Sequence, residues 1–75
     1  MKGFDVMLKN KIKEILSKEF RTNKYLVEKV KIRDSHLSNI INCKIVPKAD
    51  LALRIAIALE KPFEDVFYFE EDKIE

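Results

Sequence analysis

Apolar residues recur at helical intervals along most of the chain. Leu8, Ile12, Ile15 and Leu16 stand at i, i+4, i+7 and i+8, which predicts an amphipathic first helix over about residues 6–19, with Phe20 closing its stripe. Thr22 is placed as an N-cap, its hydroxyl able to accept a free backbone N–H of the next turn. A second helix is expected over about 23–30, burying Leu26, Val27 and Val30. A turn at Lys31–Arg33, anchored by a buried Ile32, leads into a third helix over about 34–42. Pro47 closes a loop before a fourth helix, about 48–59, whose stripe Leu51, Ile55, Ala58 and Leu59 repeats the spacing of the first. Pro62 suits the first position of a short fifth helix, 62–67, where its missing N–H costs nothing, and Phe63, Val66 and Phe67 supply the apolar side. The tail EEDKIE, 70–75, is acidic and expected to fray. The expected fold class is all-α: five short helices in one domain spanning 1–75, with a helix-turn-helix proportion at about 23–42.

The third helix, DSHLSNIIN, has two different sides. With Leu37 at zero on a 100° wheel, Ile40 and Ile41 fall within about 60° and form the buried side. Ser35, Asn39 and Asn42 lie within about 40° of the opposite pole, flanked by His36 and Ser38. A surface helix with no further role more often carries Glu and Lys, which have better helix propensity than Ser or Asn. Small side chains that both donate and accept hydrogen bonds suit base edges in a major groove, where Asn pairs bidentately with adenine. Asp34 has two readings, a cap favoured by the helix dipole or an acceptor for a cytosine amino group.

The charge distribution adds to this picture. The net charge of +2 hides twelve Lys/Arg against five Asp/Glu in residues 1–48, a balance of +7, and three against eight in 49–75, a balance of −5. The basic part is expected to meet a polyanion, and the acidic end to stay away from it. The 75 residues, 47% hydrophobic and 37% charged, fit a small globular domain that hides about 60–65% of its unfolded surface. One cysteine allows no internal disulfide, no apolar run approaches membrane-spanning length, and the N-terminus lacks a secretory pattern. A cytoplasmic location is expected.

Catalysis is not expected. His36 and Cys43 are seven residues apart on one predicted helix, about 10 Å along its axis, too far for a hydrogen bond. Two Cys and His residues are too few for a zinc site, no Gly-rich phosphate loop is present, and no cofactor or metal is expected. A protein-binding surface is the stronger rival. Leu53 and Ile57 stand four apart on a second side of the fourth helix, and Tyr68 and Phe69 follow the last one. These aromatics either serve an interface or fold back onto the first helix.

From Leu8 to Phe69 the chain resembles the lambda-repressor/Cro-type (XRE-like) helix-turn-helix family. The resemblance is carried by Thr22-Asn23, Leu26, Val30, Ile32, Leu37-Ser38, Ile40, Asn42, Pro47, Leu51, Ile55-Ala56, Ala58-Leu59 and Val66-Phe67, with the block LALRIAIAL followed by EDVF the most recognisable part. The resemblance implies that the helix from Asp34 is a recognition helix and that Asn23 stands where the family clamps a phosphate. Asn42 and Lys44 would fall in the loop that approaches the backbone. The chain departs from the family at Lys31, where a turn Gly is usual, at Arg33, where a Ser cap is frequent, and at Ile41-Asn42-Cys43, which replaces Glu-Asn-Gly. Without that Gly, Asn42 is the residue expected to tolerate a left-handed helix end. A family ion pair is here replaced by Leu16 and Ile41, which are expected to touch.

The resulting expectation is a sequence-specific double-stranded DNA-binding transcriptional regulator, a repressor-like homodimer on an inverted repeat. Ser35, His36 and Asn39 face bases, with Asp34 as a further candidate. Thr22, Asn23, Lys24, Lys31, Arg33, Ser38, Asn42 and Lys44 hold phosphates. Ile57, Phe63, Tyr68 and Phe69 are the candidate dimer contacts, and any control of activity is expected to come from a regulatory protein partner or from proteolysis. The alternative is a protein-interaction module, antirepressor- or antitoxin-like, with DNA contact secondary.

Overall fold

The computed structural model describes residues 6–71, with side chains from Leu8 to Phe69. Strand β1 (Val6–Asn10) leads into helix α1 (Ile12–Lys18). Helices α2 (Asn23–Val30), α3 (Asp34–Ile41), α4 (Ala49–Leu59) and α5 (Phe63–Val66) follow, and strand β2 (Phe67–Glu71) closes the fold. The five expected helices are present, but the domain is not purely all-α. The strands pair antiparallel, from Val6 opposite Glu71 to Asn10 opposite Phe67.

Two local causes shorten the first helix. The Asn10 side chain accepts the Ile12 N–H through Oδ1 at 3.2 Å, and the Lys11 N–H donates to the Val66 carbonyl at 2.8 Å. The chain before Ile12 is thereby tied to the far end of the sequence. Phe67 turns extended (φ −120°, ψ 144°), ending α5 one residue before the expected boundary. Glu70 and Glu71, expected in a frayed tail, belong to β2, and 72–75 lie outside the described residues.

The core is the one the helical stripes predict. Ile12, Leu16, Leu26, Val30, Leu37, Ile40, Leu51, Ile55, Leu59, Val66 and Phe67 are buried together, with Leu8, Ile32, Ile41 and Ala58 packed at the margin. Each such side chain contributes about 1.5–3 kcal/mol by leaving water. Phe63 lies exposed beside this core, its ring stacked on Phe67 with centroids 5.2 Å apart.

Four helices end alike, without glycine. Phe20, Lys31, Cys43 and Glu60 take left-handed φ of 57°, 62°, 61° and 58° after α1, α2, α3 and α4. In each case the next N–H reaches back five residues: Arg21 to Leu16 O, Ile32 to Val27 O, Lys44 to Asn39 O and Lys61 to Ala56 O, at 2.8, 3.3, 2.8 and 3.1 Å. These are Schellman ends, which satisfy orphan carbonyls but cost a residue with a Cβ about 1–2 kcal/mol. At α3 the left-handed residue is Cys43, since Asn42 keeps φ −85° as the C-cap, correcting the expectation for Asn42. Phe20 is corrected too. The reversal at the end of α1 turns its ring outward, 96% exposed, instead of closing the stripe.

Candidate nucleic-acid interface

Helices α2 and α3 are joined by Lys31, Ile32 and Arg33 alone. Lys31 supplies the left-handed residue, so the Gly position of the resemblance is met in backbone shape if not in residue type. Ile32 tucks against the core, and Arg33, extended at φ −80° and ψ 155°, starts α3 by accepting the Leu37 N–H at 3.0 Å on its carbonyl. Leu37 and Ile40 are fully buried, which fixes the rotation of α3 about its axis. That rotation leaves Asp34, Ser35, Ser38 and Asn42 exposed, with His36 and Asn39 half-buried beside them. Asn42 donates through Nδ2 to Ser38 Oγ at 3.4 Å, a bond made at the surface. The base-reading candidates and the polar phosphate candidates of α3 thus share one helix and its outward sides.

The expected caps are not formed. Thr22 occupies the N-cap of α2 with extended backbone, yet its hydroxyl makes no capping bond. Asp34 lies inside the first turn of α3 while Arg33 holds the cap position, so Asp34 favours the dipole without capping it. Both positions are exposed, where water satisfies a first-turn N–H and no side-chain cap is forced. Thr22, Asn23 and Lys24 are all exposed at the start of α2, and Lys31, Arg33 and Lys44 are exposed around α3.

Three supporting residues escaped the periodicity argument. Asn10 donates through Nδ2 to the Ile40 carbonyl at 2.9 Å, in the last turn of α3, and lies 3.9 Å from Cys43 Sγ. Arg21 donates to Tyr25 Oη at 2.9 Å with its guanidinium 4.3 Å from the ring centroid, and Tyr25 Oη donates to the Ala58 carbonyl at 3.3 Å. These bonds tie the start of α2 to the end of α4. Arg21 and Lys61 also flank Glu19 at 3.3 and 3.5 Å. An Asn two residues before a helix, and an Arg–Tyr pair at i, i+4, were the available signals.

The candidate dimer residues lie on α4, α5 and β2. Ile57 on α4 is 72% exposed and Phe69 on β2 is 69% exposed. Tyr68 and Phe69 face opposite sides of the ribbon by strand alternation. Both fold back onto the segment expected to begin the first helix, which is strand β1. Tyr68 pairs with Lys9 and lies under the Lys11 ammonium, 5.5 Å from its ring centroid, while Phe69 pairs with Leu8. No helix among the described residues is long and apolar enough to cross a membrane.

No family model matches the chain, and no curated protein matches it in sequence. In three dimensions it is similar to the crystal structure of a candidate DNA-binding protein from Bacteroides fragilis. The TM-score is 0.74 at 26% identity, over 83% of this chain and 100% of that one.

Proposed function

We propose that this chain binds double-stranded DNA and acts as a sequence-specific transcriptional regulator of lambda-repressor type. In this reading α3 enters the major groove. The observation that carries the reading is the α2–turn–α3 unit: buried Leu37 and Ile40 hold α3 so that Ser35, Ser38 and Asn42 point outward, with Asn39 and His36 alongside. The likeness to the Bacteroides fragilis protein supports DNA as the partner.

In the proposed complex Ser35, His36 and Asn39 meet base edges, with Asp34 free to accept from cytosine. Thr22, Asn23, Lys24, Lys31, Arg33, Ser38, Asn42 and Lys44 lie against phosphates, which position the protein without specifying sequence. The uncapped hydroxyl of Thr22 and the open first turn of α2 are suited to a phosphate oxygen. Two copies joined through Ile57, Phe63 and Phe69 or Tyr68 place two α3 helices on two half-sites.

Those exposed apolar residues also favour a second reading, a module whose main partner is another protein. Enrichment of a random duplex library on the purified protein at near-physiological salt separates the two. An enriched inverted repeat is the expected outcome. A protein module on this fold retains no duplex, and its binding responds little to salt, whereas each phosphate contact adds about −0.9 to the log–log slope.

A further inference from the structure

An open groove of about 820 Å³ runs between α1 and the C-terminal end of α3. Its floor includes Ile15 and Ile41, and its rim carries Lys11, Lys13 and Lys18 on one side and Asn42 on the other. Lys13 and Lys18 are exposed, and neither side chain makes an ion pair or hydrogen bond with another described residue. The single acidic residue on the rim, Glu14, leaves the groove with excess positive charge. The lining is mostly apolar, with Ile41 half-buried beside Ile15, and the charge stands around it on the lysine rim. The groove is continuous with the proposed phosphate surface through Asn42.

We infer that this groove is a second backbone-binding surface, taking phosphates of the DNA strand that passes the C-terminal end of α3. Lys13 and Lys18 are its contacts. Lys11 holds the edge, its ammonium already over the Tyr68 ring. The inference rests on the DNA-binding reading and extends it from α2, α3 and their loop to α1. A lysine ammonium on a flexible stem suits this role, since it tracks a phosphate as a point charge and needs no fixed geometry. Such contacts tighten binding to every sequence equally and depend on the length of the duplex.

The test compares salt dependence of binding for the unaltered chain, Lys13→Gln/Lys18→Gln, and Lys29→Gln/Lys61→Gln as a charge-matched control. Gln keeps helix propensity close to that of Lys. Circular dichroism melts verify that all three fold. On a duplex with several base pairs flanking the half-site, the Lys13/Lys18 variant is expected to lose about 1–2 from the magnitude of the log–log salt slope, at about 0.9 per contact. The control keeps the slope of the unaltered chain. On a duplex trimmed to the half-site the two variants converge. An equal loss in both variants assigns the effect to the general field of the protein and overturns the groove. An unchanged slope in the Lys13/Lys18 variant overturns it as well. Failure of the unaltered chain to bind any duplex removes the DNA-binding reading itself, an outcome visible before the variants are compared.

Discussion

The side-chain amide of Asn10 donates to the backbone carbonyl of Ile40, thirty residues away, at 2.9 Å. The same side chain accepts the Ile12 N–H at 3.2 Å. One residue thus starts α1, ends β1 and satisfies a carbonyl in the last turn of α3. Asn10→Ala leaves the Ile12 N–H without its acceptor, while the Ile40 carbonyl keeps the Cys43 N–H at 3.0 Å, and is expected to cost about 1–3 kcal/mol. For a domain of this size each kcal/mol moves the Tm by about 4–8 °C. A thermal melt with hydrogen exchange at Ile12 checks it. An unchanged melt together with slow exchange at Ile12 would show that the bridge carries no stability.

A left-handed residue with a Cβ at four helix ends is a correctable strain. Glu60 lies between α4 and α5, away from α3, so Glu60→Gly relieves the backbone without touching the proposed DNA surface. Relief of about 1–2 kcal/mol is partly offset by the entropy glycine loses on folding, leaving a gain of about 0.5–1 kcal/mol. The Tm should rise by a few degrees. Glu60→Val, β-branched at a positive φ, should lower it.

Base reading and phosphate holding separate by mutation. Asn39→Ala is expected to lower affinity for the selected operator by about 1–3 kcal/mol while binding to unrelated duplex and the salt slope stay the same. Lys44→Ala should instead weaken binding to all sequences and reduce the slope magnitude by about 0.9. Titrations on operator and scrambled duplexes at several salt concentrations distinguish them. If the two variants lose affinity in the same pattern, the division between base-reading and phosphate-holding residues is wrong.

Ile57 is the sharpest test of the proposed dimer, because its exposure makes it dispensable to a monomer. Ile57→Asp should leave monomer stability within about 0.5 kcal/mol and shift the assembly to monomer in light scattering. A dimer that survives both Ile57→Asp and Phe69→Ser would place the interface elsewhere or remove it.

The helical body was legible because it is local. Leu26, Val27, Val30, Leu37, Ile40, Leu51, Ile55 and Leu59 all follow from spacing within one element, and all are buried. The outward side of α3 follows from the same wheel, since fixing Leu37 and Ile40 inside fixes Ser35 and Asn42 outside. The ribbon was not legible because its cause is distant. Leu8 fits the helical stripe of α1 by spacing, and only its partner Phe69, far along the chain, makes its segment a strand. The run Phe67-Tyr68-Phe69 carried the strand preference of aromatics, but a two-stranded ribbon has no partner signal in either strand alone. Phe20 misled for a related reason. Periodicity places it on the stripe of α1, yet the helix stops at Lys18 and the reversed backbone turns it to solvent.

The two strands also bear on the order of folding. Asn10 and Phe67 are 57 positions apart, and Val6 and Glu71 are 65 apart, so the ribbon closes nearly the whole chain into a loop. Closing so long a loop is entropically uphill until the helices have drawn its ends together, so the ribbon forms late and opens first. Asn10 stands at its base with a hand on Ile40. Each opening that frees Asn10 therefore takes one of two donors from the Ile40 carbonyl, so the cadence at which the chain's two ends part is felt in the last turn of α3.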